Sequence, residues 1–67
     1  MSKYSKLWQF IADSNERELT LTFDEIQKIL GFPVDHSFLT YKKELSDYGY
    51  TVVKISMKAK TVLFALL

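Results

Sequence analysis

"LTLTFDEIQKILGFPVDHSF", residues 19–38, decides how this chain folds. Leu19, Leu21 and Phe23 alternate with Thr20 and Thr22, the period of a short half-buried strand over 18–22. The period then changes. Thr22 and Glu25 stand in the T-x-x-E spacing of a capping box, and Leu21 and Ile26 occupy the two positions of a hydrophobic staple. Phe23, Ile26, Ile29 and Leu30 follow at helical spacing and give that helix one apolar face. Gly31 takes the left-handed position past its end, and Pro33 stops it from resuming. Asp35 or Ser37 can cap the helix that comes next.

Upstream, Tyr4, Leu7, Trp8 and Ile11 fall at i, i+3, i+4 and i+7, an apolar helical stripe. Ser2 or Ser5 is suited to cap it, and the polar "DSNE" at 13–16 ends it. Downstream, Phe38, Tyr41, Leu45 and Tyr48 recur at spacings of three, four and three, which predicts a helix with these four on its inward face and Gly49 as its stop. The tail is rich in Val, Ile, Thr and Phe and breaks at Lys58-Ala59-Lys60, which reads as two strands joined by a tight turn. That turn contains no Gly or Asn, and the uneven alternation at Val52-Val53 fits a bulge. The expected fold is one small α+β domain over residues 1–67, in the order α-β-α-α-β-β with a three-stranded antiparallel sheet. That is the element order of a winged helix, with the hairpin as the wing.

Composition narrows the function classes. Apolar residues make up 48% of the 67 and aromatics 15%, enough for a packed core and against disorder. There is no cysteine and one histidine, so neither a disulfide nor a transition-metal site is expected, and no cofactor is implied. Gly31 and Gly49 are the only glycines, too few for a phosphate-binding loop. His36 lies beside Asp35 and Ser37 in sequence, but neighbours on a helix do not face one another, so no triad is indicated and no enzyme is expected. The start of the chain does not read as a secretory signal, and no apolar run approaches the roughly 18 residues that suggest a membrane span. A cytoplasmic location is the expectation.

Net charge is +1, but it is unevenly spread. Residues 1–35 carry four cations against six acids, and residues 36–67 carry Lys42, Lys43, Lys54, Lys58 and Lys60 against Glu44 and Asp47. Opposite the apolar stripe of the third helix stand His36, Thr40, Lys43 and Asp47, with Ser37 and Lys42 flanking. A recognition helix presents such residues to bases and phosphates, and a basic hairpin adds phosphate contacts. Ser37, Thr40, Lys42 and Lys43, with Lys54, Lys58 and Lys60, are the expected contacts if the chain binds double-stranded DNA, while a solvated helix face and lysines that protect strand edges account for the same charges without a ligand. The face lacks the Arg, Asn and Gln that read bases most often. The competing expectation is a protein-interaction or homodimer surface built from Phe10, Phe32, Leu39, Leu66 and Leu67, apolar residues outside the core stripes.

At "LTLTFDEIQKILGFPVDHSF" and "GYTVVKISMKAKTVLF" the chain resembles a group of small bacterial domains of unknown function. Their pattern looks like L-T-F-x-E-I-x-x-I-L-G, a Pro-containing link, a His-Ser pair, and G-Y-x-V before a terminal hairpin. Thr22, Glu25, Gly31, His36, Ser37 and Gly49 fall on pattern positions. Longer members carry a Trp- and Arg-rich segment before the His-Ser pair. Here the link is only Phe32 to Asp35. The resemblance implies no activity.

Overall fold

A computed structural model describes residues 3–67. Helix α1 spans Ser5–Ser14, strand β1 Glu18–Thr22, helix α2 Phe23–Leu30 and helix α3 Ser37–Tyr41. A 3₁₀ segment, Lys42–Tyr48, continues α3, and strands β2 (Tyr50–Ser56) and β3 (Thr61–Leu66) close the chain. The expected α+β class and element order are found.

The strand-to-helix change at Thr22 is made by the capping box itself. The Thr22 hydroxyl accepts the Glu25 backbone N–H at 3.1 Å, and Glu25 Oε1 accepts the Thr22 N–H at 2.9 Å. Two amide donors that a helix start leaves unpaired are thereby satisfied. At the far end Gly31 takes φ +85° and donates its N–H to the Gln27 carbonyl at 2.7 Å. Only a residue without Cβ enters that conformation freely. At α1 the start carries no side-chain cap from Ser5, while Ser2 lies outside the described residues.

The sheet order is β1-β3-β2, all antiparallel. Val52 pairs with Phe64 and Lys54 with Leu63, so Val53 is the extra residue of the bulge expected there. The inner face carries Leu19, Leu21, Val52, Ile55, Val62 and Phe64, against which the helices pack. Tyr4, Leu7, Trp8 and Ile11 of the first stripe are fully buried, and Ile26, Leu30, Phe38 and Leu45 complete a single core with them.

One helix departs from expectation. After Tyr41 the backbone tightens to three residues per turn, which brings Leu45 and Tyr48 onto one side. Phe38 and Leu45 are buried and Tyr48 is half-buried, but Tyr41 is left 39% exposed. A stripe spaced for 3.6 residues per turn cannot stay in line when the helix changes period. Tyr41 instead lies against the edge of the core, its ring 5.9 Å from that of Tyr4.

Candidate nucleic-acid interface

The start of α3 is set by Asp35. Its Oδ1 accepts the Ser37 N–H at 2.9 Å, the Ser37 hydroxyl, and the Tyr4 hydroxyl at 2.9 Å. Its Oδ2 faces the Lys3 ammonium at 3.4 Å, and the Tyr4 and Ser37 oxygens are themselves 2.7 Å apart. The Ser37 hydroxyl, the Tyr4 hydroxyl, the Ser37 amide and Lys3 together hold the Asp35 carboxyl well below the ordinary carboxylate range. Burial pushes the Tyr4 hydroxyl up, with the Asp35 charge adding to it. This network ties the first helix to the third across 31 residues of sequence. Sequence reasoning missed it, because Tyr4 reads as a core residue and Asp35 as a local cap.

One expected contact changes role as a result. Ser37 spends its hydroxyl on Asp35 and Tyr4, so it organises the helix start instead of facing a ligand. The end of α3 where a phosphate would approach is occupied by an ionised carboxylate. Farther along, Glu44 accepts the Trp8 indole N–H at 3.1 Å, an acid engaged by the core's largest ring.

The lysines divide by face. Lys54 pairs with Leu63, which pairs with Thr20, and all three lie on the sheet's outer side, away from the helices. Lys54 therefore stands apart from α3. Lys42 and Lys43 follow α3, Thr40 is exposed on it, and Lys58 and Lys60 sit in the turn Met57–Lys60. Among the described residues none of these four lysines is paired with a carboxylate.

The hairpin turn adjoins the helices through one backbone bond and one groove. The Phe23 N–H donates to the Lys60 carbonyl at 2.9 Å, seating the turn on the first residue of α2. A groove of about 260 Å³ is lined by Val34, Asp35, His36, Phe38 and Leu39 from the link and α3, by Ile55, Met57 and Val62 from the hairpin, and by Phe23 of α2. Leu39 is 50% exposed and Met57 73%, so the rims of the groove are apolar and open. Met57 was not singled out from sequence. A lone apolar residue beside a predicted turn carries no signal until its neighbours are known.

The residues of the apolar alternative do not form one patch. Leu39 lies on the groove, whereas Leu66 and Leu67 hydrogen-bond to Arg17 and Gly49 at the opposite end of the sheet. Phe10 is exposed on α1. Phe32, expected at the surface, is half-buried, packing edge-on against Tyr4 at 5.7 Å with the Lys3 ammonium 5.0 Å from its centroid. Its position past Gly31 folds the ring back under the α1 start, which no helical stripe would reveal.

Among the described residues no group of His, Asp and Glu is placed to hold a metal ion, and no helix is long and apolar enough to cross a membrane. Comparison with protein-family models, with curated proteins and with solved structures gives no match.

Proposed function

We propose that the chain is a non-enzymatic, winged-helix-like module that binds duplex DNA weakly and without strong sequence preference, in the cytoplasm. The contacts are Thr40, Lys42 and Lys43 after the start of α3, and Lys58 and Lys60 on the hairpin turn. The observation that carries this reading is the shared groove: the start of α3 and the end of the hairpin line the same cavity, so the turn that bears Lys58 and Lys60 adjoins the helix that Lys42 and Lys43 follow. The ionised Asp35 moves the contact away from the helix start, where a recognition helix ordinarily reads bases. With no Arg, Asn or Gln among these residues, phosphate attraction supplies the affinity.

Four ammonium groups on phosphates correspond to a log–log salt slope of about −3.6 and a loss of roughly a hundredfold in affinity from 50 to 200 mM salt. Fluorescence anisotropy of a labelled duplex across that range measures both. The variant with Lys42, Lys43, Lys58 and Lys60 all changed to Ala is expected to lose binding. Parental affinity in that variant would end the proposal.

A second reading, self-association through the groove, has the open apolar rims of Leu39 and Met57 in its favour.

A further inference from the structure

Lys60 occupies the left-handed region at φ +55°. There the Cβ of an L residue crowds the carbonyl that follows it. The other left-handed positions among the described residues are filled by Gly31, Gly49 and Asn15, residue types that enter this region readily. Lys60 is the exception, in a four-residue turn where glycine would fit.

The conformation is imposed from outside the side chain. The Lys60 carbonyl accepts the Phe23 N–H, the Ser56 hydroxyl accepts the Ala59 N–H at 3.1 Å, and Thr61 pairs with both Thr22 and Ser56. The turn is thus pinned against the start of α2 on one flank and closed by the sheet on the other. Of the two acids in that first turn of α2, Glu25 has its carboxylate turned back onto the Thr22 amide. Lys60 itself is exposed and makes no ion pair among the described residues.

We propose that Lys60 is a preorganised phosphate contact, a cation kept on a pinned backbone position that otherwise favours glycine. Strain of this kind persists where the surrounding structure over-determines it, and it gathers at functional positions. The inference rests on the DNA reading above and sharpens it, since it assigns one residue a role separable from fold stability.

Lys60→Gly and Lys60→Arg, beside the parent, are to be compared by thermal unfolding and by titration of a mixed-sequence duplex over a salt series. Lys60→Gly is expected to melt higher by about 2–8 °C, because relief of the left-handed strain exceeds the added chain entropy. Its affinity should fall about eightfold at 0.1 M salt and its salt slope should shrink by about one phosphate contact. Lys60→Arg should keep parental affinity and slope without the rise in melting temperature. If the parent binds and Lys60→Gly keeps its full slope, the phosphate contact is wrong while the DNA reading stands on the other lysines. If the parent does not bind, the DNA reading fails and takes this inference with it. A Lys60→Gly variant that melts no higher overturns the argument from strain.

Discussion

Asp35 carries its charge at the point where α3 begins, and three hydrogen-bond donors converge on one of its oxygens. Each donor favours the ionised form, so the folded chain holds this carboxyl below its unfolded value of about 3.9. The unfolded chain therefore binds the proton more readily, and stability rises with pH through this range. The contribution is fully present above about pH 5 and drains away as pH falls through the unfolded value toward the folded one. Glu25, held down by the Thr22 amide and hydroxyl, acts in the same direction. Asp35→Asn keeps an acceptor but cannot ionise. Its melting temperature should change less than the parent's between pH 5 and pH 2. Parallel curves for the two proteins would show that the Asp35 network does not contribute to acid sensitivity.

Elements are held by their ends. The capping box at Thr22 lets β1 turn directly into α2 with no intervening loop, so this one residue closes a strand and opens a helix. Thr22→Ala removes the hydroxyl that accepts the Glu25 amide and is expected to destabilise the fold by about 1 kcal/mol in urea unfolding. A change near zero would mean that the sheet and staple alone set the turn. The 3₁₀ segment shows the opposite case, an element that no end signal announces. Its spacing at Leu45 and Tyr48 is compatible with either helix type, and Gly49 at φ +85° ends both equally well. Packing of β2 against this segment accompanies the tighter turn, and exposure of Tyr41 is the result.

The whole molecule has a radius of gyration of 10.7 Å, close to the ~11 Å of a compact single domain of this size. A chain so short buries only about 60% of its unfolded surface, so an open apolar groove is a large feature relative to the core. If that groove pairs with a second copy, sedimentation velocity should show a concentration-dependent dimer that Met57→Glu dissolves. A monomer at every accessible concentration would end the self-association reading and leave DNA binding as the sole proposal. Such a chain can gain stability from a partner. The salt and sedimentation experiments separate those partners.

The strand at 18–22, the capping box, the Gly31 stop, the first helical stripe and the bulge near Val53 were all legible in the residues. Each rests on hydrogen bonds or side-chain periodicity within a few positions of chain, so the local order of residue types is enough to specify it. The Tyr4–Asp35 link, the outward placement of Lys54, the burial of Phe32 and the joining of Leu39 to Met57 were not legible. They arise from contacts between segments far apart in sequence, and the closing of the sheet and the seating of the hairpin on α2 decided them. A local pattern gives a residue its face, but only packing gives that face its neighbours.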